Sequence, residues 1–208
     1  MNEPSDDNPD VPVTVSGGAE PGHPAWTSPL TLQPIGYVRS PYVERYGTPR
    51  QPTVVSGTLG EVPQEAEIVL DRARIPVEAL RGLEGFDYVW VVVWLHQNKG
   101  WRPMVTPTRG PRVKRGLFAT RSPHRPCPIG LSALRLIGVE GHTLQVLGLD
   151  LLDGTPVLDV KPYVPYADAF PGARAGWLDA LDTPIDGPDR PTKVPGRKRR
   201  VVREGADQ

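Results

Sequence analysis

Apolar residues in this chain fall in short runs interrupted by proline and glycine, the punctuation of strands rather than of long helices. Runs near 33–39, 53–59, 66–71, 86–96, 115–119, 132–139, 143–150 and 157–160 read as strands. The strongest runs from Phe86 to Leu95. Its even positions carry Phe86, Tyr88, Trp90, Val92 and Trp94, and its odd positions Val89, Val91, Val93 and Leu95. That pattern predicts a central strand covered on both faces, with Trp90 and Trp94 in the core. Glu140-Gly141 supplies a hairpin turn between 132–139 and 143–150. Ile75-Pro-Val-Glu-Ala-Leu-Arg81 predicts one short helix entered through proline and ending near Gly82. Beyond Pro171 the pattern fades to a helical turn around Ala175 to Leu181 and a linker rich in Pro and Asp. Many short strands with few helices predict a mostly β fold, a small closed or nearly closed barrel that leaves no vulnerable sheet edge. No Gly-x-Gly-x-x-Gly follows a predicted strand, which argues against a Rossmann cradle.

Composition divides the chain without adding a second domain. Its 208 residues, 38% hydrophobic, can bury one sizeable core. Residues 1–30 carry five acids and no Lys or Arg among scattered Pro, Gly and Ser, so they read as a disordered acidic arm. Residues 31–170 form the barrel domain, and 171–208 a linker and basic tail with six cations between Lys193 and Arg203. Lys+Arg and Asp+Glu balance at 24 each, so a nucleic-acid surface must come from local clustering. The single cysteine, Cys127, excludes an internal disulfide, and with four scattered histidines offers no zinc spacing. No metal is expected. The N-terminus lacks the charged and apolar regions of a leader, and the longest apolar run, Tyr88 to Leu95, is far short of a membrane span, so the expected location is cytoplasmic.

The densest chemistry lies in Gly116-Leu-Phe-Ala-Thr-Arg-Ser-Pro-His-Arg-Pro-Cys-Pro-Ile-Gly-Leu131, where a strand enters a loop with two arginines, a histidine and three prolines. Pro123, Pro126 and Pro128 hold Ser122, Arg125 and Cys127 extended, as a preorganised site requires. Arg121 and Arg125 offer planar donor forks for carboxylate or phosphate, and Gly130 permits close approach of a ligand to the backbone.

This loop resembles the Ala-Thr-Arg-Ser-x-x-Arg-Pro-Asn-Pro-Ile-Gly-Leu signature of the TrmO, or TsaA-like, family of S-adenosylmethionine-dependent tRNA methyltransferases. Ile35 to Tyr42, Thr48 to Pro52, Arg81 to Phe86, Leu95 to Gln97, Gly100 to Pro103 and Leu149 to Tyr163 follow in the family's order, so the resemblance covers residues 33 to 170. It implies a β-barrel methyltransferase that works as a homodimer and binds S-adenosylmethionine near the subunit interface. The implied substrate is N6 of N6-threonylcarbamoyladenosine next to the anticodon, at tRNA position 37. The chain resembles a short form without the C-terminal domain of long bacterial members. Cys127 stands where the family usually has asparagine, so a hydrogen-bonding amide is replaced by a small thiol.

By resemblance, Pro49, Arg50, Gln51, His96, Gln97, Arg121, Leu131, Leu152, Asp153, Gly154 and Thr155 occupy cofactor-contacting positions. The residue chemistry gives Arg121 or Arg50 the cofactor carboxylate and Asp153 the ribose diol or the amino group. Methyl transfer to an exocyclic nitrogen can proceed through positioning alone, because the amine grows more acidic as it is alkylated. Where a base assists, the candidates are Asp159, His124 or a water held by Ser122, with Lys161 and Tyr163 positioning the substrate. Plainer readings stand beside these. His96 can be a satisfied structural histidine, Asp153-Gly154-Thr155 a plain turn, and Asp159 and Lys161 a surface pair on one strand. Trp101 can stack on a base or cap the barrel. The tRNA grip falls to the basic tail or to loops such as Arg109 to Arg115, and a solvated tail without a role is the alternative. Two other functions stay open: a methyltransferase acting on a small molecule, and a cofactor-binding module without turnover.

Overall fold

The computed structural model describes residues 13–15, 30–44, 48–49, 64–108 and 110–181. Among the described residues ten strands follow in order: β1 (Val13–Val15), β2 (Leu30–Leu32), β3 (Gly36–Arg39), β4 (Glu65–Leu70), β5 (Tyr88–Trp94), β6 (Met104–Val105), β7 (Arg115–Gly116), β8 (Ile129–Glu140), β9 (Thr143–Leu147) and β10 (Pro156–Pro162). Six close into an antiparallel barrel in the order β10-β3-β4-β9-β8-β5, as the strand spacing predicts. β1 pairs with β2 and β6 with β7 outside it.

Alternation decides what fills the barrel. Val38, Ile68, Val89, Val91, Val93, Leu134, Leu144, Val146 and Val157 point inward and are fully buried. Each such side chain contributes about 1.5–3 kcal/mol from the apolar area it removes from water. The β8–β9 hairpin turns at the expected place, with Gly141 at φ 58°. Gly36 has no room for a side chain, because a Cβ there would stand 2.2 Å from the Val69 carbonyl oxygen where β3 crosses β4. Gly130 is also a packing glycine: its vacant Cβ position lies 2.7 Å from Val93 Cγ2, so the barrel interior rather than a ligand requires it.

Several expectations change. On β5 the odd-numbered valines are the core, whereas Trp90 and Trp94 are half-buried on the outer face and Tyr88 is exposed. The ladder explains the reversal, since a six-stranded barrel interior takes compact branched side chains and leaves the indoles outside. The 115–119 run is only the two residues of β7 followed by a 3₁₀ turn at Leu117–Ala119. The 75–81 helix contracts to 3₁₀ turns at Val77–Leu80 and Leu83–Gly85, and that around 175–181 to one at Gly176–Leu178. Within residues 1–30 only Val13–Val15 and Leu30 are described, and they belong to the β1–β2 pair. The predicted 53–59 strand and the basic tail lie outside the described residues.

One polar pair interrupts the apolar interior. The buried Ser132 hydroxyl on β8 donates to Asp150 Oδ1 at 2.7 Å, just past the end of β9. Burial pushes the Asp150 carboxyl up to about 6, against the opposing pull of the Ser132 bond, a backbone bond and the Arg121 charge.

Two stability predictions follow from this packing. Gly36→Ala will lower unfolding stability by about 1–3 kcal/mol, since backbone must move to admit the methyl; an unchanged denaturant midpoint would contradict the close crossing. Because the folded state holds the Asp150 proton up to about pH 6, its contribution is full below the unfolded carboxylate range and declines as pH rises through about 6. Asp150→Asn removes that decline, so the variant will gain on the order of 2 kcal/mol relative to the parent between pH 4 and pH 8. Parallel melting curves across that range would place the carboxyl in water.

Candidate active site

The ladder registers fix which loops meet at each end of the barrel. β3 ends at Arg39 beside Glu67, β5 ends at Trp94 beside Ile129 of β8, β9 ends at Leu147 beside Glu65, and β10 begins at Pro156 beside Tyr37. The segments after β3, β5 and β9 and the loop before β8 therefore share one mouth. His96, Gln97, Arg121, Leu152, Asp153, Gly154 and Thr155 all lie in those segments, although they span 60 positions of sequence. Pro49 is buried in the segment after β3, while Arg50 and Gln51 fall outside the described residues.

Backbone bonds pin these segments together. Leu95 N donates to Pro128 O at 2.8 Å, tying the His96-Gln97 turn to the proline-rich loop. Asp153 N donates to Tyr42 O at 2.8 Å and Gly154 N to Val38 O at 2.9 Å, tying the 149–155 loop to the end of β3. Asp153 Oδ1 accepts Ser40 N at 2.9 Å, and Ser40 Oγ donates to Leu151 O at 2.9 Å. Thr155 is buried and its hydroxyl donates to Leu152 O at 2.7 Å, which is the work of a turn. Gly154, at φ 71°, takes the left-handed backbone that the turn needs.

The two loop arginines divide their tasks. Arg125 Nη1 donates to Thr120 O at 3.1 Å and its guanidinium sits 5.2 Å from the Phe118 ring centroid, so it staples the loop instead of offering a free fork. Arg121 is exposed at the mouth and makes no hydrogen bond or ion pair among the described residues. Its charge acts on Asp150, which ties the loop to the part-buried Ser132–Asp150 pair. Asp150 is the mouth residue that the sequence reading passed over. Its signal is faint: an aspartate inside Leu149-Asp-Leu-Leu-Asp-Gly, eclipsed by the turn chemistry of Asp153-Gly154.

The remaining candidates line the barrel's outer wall. Leu131 is 59% exposed on β8, opposite Val92. Asp159, Lys161 and Tyr163 run down β10 beside Val92, Trp90 and Tyr88. Asp159 Oδ2 and Lys161 Nζ form an ion pair at 2.6 Å, as the plainer reading has it. Tyr163 packs against Trp90 at 5.4 Å and edge-on to Tyr88 at 6.2 Å between ring centroids. Tyr163 sits level with Tyr88, six positions below Trp94 at the mouth, or roughly 20 Å along the strand. Within one chain, Lys161 and Tyr163 thus stand on a different level from Arg121. His124 and Cys127 are half-buried within the proline-rich loop.

An open groove of about 510 Å³ lies along the β3–β4–β9 side, lined by Arg39, Ser40, Glu65, Glu67, Ile137 and Gln145 among others, and it adjoins the mouth through the Ser40–Asp153 bond. Arg39 is neutralised there by Glu67 at 2.7 Å, which leaves that groove without a free cation. Among the described residues no group of His, Cys, Asp and Glu is arranged to hold a metal ion, and no helix is long and apolar enough to cross a membrane.

Comparison with known proteins bears on the fold and the family. The family model of the tRNA-methyltransferase O N-terminal domain matches residues 37–169. The chain is 42% identical over 160 residues to the tRNA (adenine(37)-N6)-methyltransferase of Escherichia coli, covering 74% of this chain and 66% of that protein. It is 41% identical over 137 residues to the mouse protein of the same name, covering 65% of this chain and 31% of the relative. The crystal structure of TrmO from Pseudomonas aeruginosa aligns with a TM-score of 0.56 at 42% identity, over 70% of this chain and 61% of that one. The matched part is thus under two thirds of each relative's length. With the family model matched over well above half of the sequence, the chain belongs to the family of the tRNA-methyltransferase O N-terminal domain.

Proposed function

We propose that this protein is an S-adenosylmethionine-dependent methyltransferase that methylates N6 of N6-threonylcarbamoyladenosine at position 37 of tRNA. The observation that carries this reading is the convergence at one barrel mouth of the His96-Gln97 turn, the Arg121 loop and the Leu152-Asp-Gly-Thr155 turn. The reading is supported by family membership and by relatives named as tRNA (adenine(37)-N6)-methyltransferases.

The donor set fits the cofactor. Arg121 is a fixed cation free to take a carboxylate, and the exposed Leu131 offers apolar surface for a purine face. Asp153 keeps one carboxylate oxygen beyond the Ser40 bond for a hydroxyl or amino group. The bound cofactor supplies the methyl group. The chain's own residues would hold the carbamoylated N6 in line with the sulfonium methyl, so that the S–C bond breaks as the N–C bond forms, the sulfur departs as a thioether, and the N6 proton, acidified by alkylation, passes to solvent. Asp159 is held in the ion pair with Lys161, and Lys161 and Tyr163 act in positioning the substrate.

The separation of Arg121 from Lys161 and Tyr163 along the barrel supports a homodimeric site, in which the cofactor loop of one subunit faces the β10 wall of the other. The half-buried Trp90 and Trp94 and the exposed Leu131 give that wall the apolar surface a partner subunit covers.

In titration calorimetry the parent will bind S-adenosylmethionine and Arg121→Ala will bind at least about tenfold more weakly, by loss of a charge-assisted contact; equal affinity would remove Arg121 from the site. Methyl transfer will occur on threonylcarbamoylated tRNA and not on a transcript lacking the modification, and equal rates would discard that specificity. If the site is shared, mixing inactive Arg121→Ala and Lys161→Ala chains will restore about a quarter of parental activity through mixed dimers. No recovery after subunit exchange would put both residues in one chain's site.

A further inference from the structure

The chain's balanced charge conceals a segregation. Between Asp87 and Glu140 the sequence has nine basic residues and no acidic one, although cations and anions number 24 each overall. Two of the nine are occupied, Arg125 in its loop and Arg115 over the Trp177 ring at 4.6 Å. Lys99, Arg102, Arg112 and Lys114 are exposed and form no ion pair among the described residues. All four flank the β6–β7 ribbon, which stands outside the barrel ladder. Trp101, between two of these cations, is 51% exposed.

The ribbon is a braced structure. Leu117 N donates to Pro103 O at 2.9 Å across its base, and Trp177 Nε1 donates to Ala119 O at 2.8 Å beside it. The Leu181 side chain fills the place a Cβ of Gly110 would take. A surface that only needs solubility intersperses both signs of charge, whereas uniform cations on a fixed scaffold repel one another until an anion arrives. An exposed indole among them adds a flat apolar face, the pairing of parts that grips phosphates and stacks an unpaired base.

We infer that the β6–β7 ribbon with its flanking residues 98–108 and 110–116 is an RNA-gripping arm, in which Lys99, Arg102, Arg112 and Lys114 contact phosphates and Trp101 stacks on an exposed base. This rests on the tRNA reading above and specifies how the substrate is held. The ribbon leaves the barrel directly after the His96-Gln97 turn and returns into the Arg121 loop, so RNA gripped there lies beside the mouth.

The test is binding of native, fully modified tRNA followed by fluorescence anisotropy over a range of salt. Replacing Lys99, Arg102, Arg112 and Lys114 together by Gln will reduce the slope of log affinity against log salt by about 3 and weaken binding at fixed salt by at least about tenfold. Trp101→Ala will weaken binding by about tenfold with the slope unchanged, the signature of stacking. S-adenosylmethionine affinity and circular dichroism of both variants will match the parent, which separates the effect from misfolding. Parental affinity and slope in the fourfold variant would overturn the arm while leaving the methyltransferase reading intact. A parental Kd in Trp101→Ala would overturn the stacking role. A parent that binds S-adenosylmethionine but no tRNA would overturn the substrate reading and the arm with it. Loss of binding to anionic vesicles with tRNA binding untouched would reassign the ribbon to a membrane surface and overturn the proposal.

Discussion

Barrel closure constrains everything else in this molecule. β5 pairs with β8 on one side and β10 on the other, and Val89, Val91 and Val93 fill the interior between them, so the backbone groups of the ladder are used up and the inside is solid. Irregular backbone and free polar groups can then stand only at the two ends or on the outer wall. At one end four segments distant in sequence come together. The bonds between Leu95 and Pro128 and from the 153–154 backbone to Tyr42 and Val38 make that mouth a fixed arrangement.

The same closure explains the division of labour between neighbours of one residue type. Arg125 turns back into its loop and stiffens it, which leaves Arg121 as the loop's outward charge. Asp153 ties the end of β3 to the 149–155 loop, while Asp150 turns inward to Ser132 and experiences the low polarity of the barrel. Outside, Tyr163, Trp90 and Tyr88 form an aromatic row on the β5–β10 wall. The 87–140 segment separately carries its uncompensated charge to the ribbon. Core, mouth, wall and ribbon are distinct surfaces made by one uninterrupted ladder.

The strand runs were legible because alternation and turn chemistry are local: β8, β9 and the Gly141 turn stand where periodicity puts them. The meeting of the mouth segments was legible only through motif resemblance, since nothing in periodicity brings Leu95 to Pro128. What failed did so where partners across space decide. Trp90 and Trp94 look like core by size, yet the ladder register gives the interior to the valines. Gly130 looks like a ligand contact, yet Val93 and Leu95 occupy its vacant side. Arg125 and Asp150 exchange the prominence their sequence contexts suggest, because burial and hydrogen-bond partners are properties of the closed barrel.

The central claim is that the mouth formed by the 95–97 turn, the Arg121 loop and the 152–155 turn is where the cofactor binds, rather than the adjoining open groove of the β3–β4–β9 side. A crystal structure with S-adenosylhomocysteine tests this most directly. The account predicts the ligand carboxylate at the Arg121 guanidinium and the adenine against Leu131. A ligand seated between Arg39, Glu65 and Gln145 would contradict it.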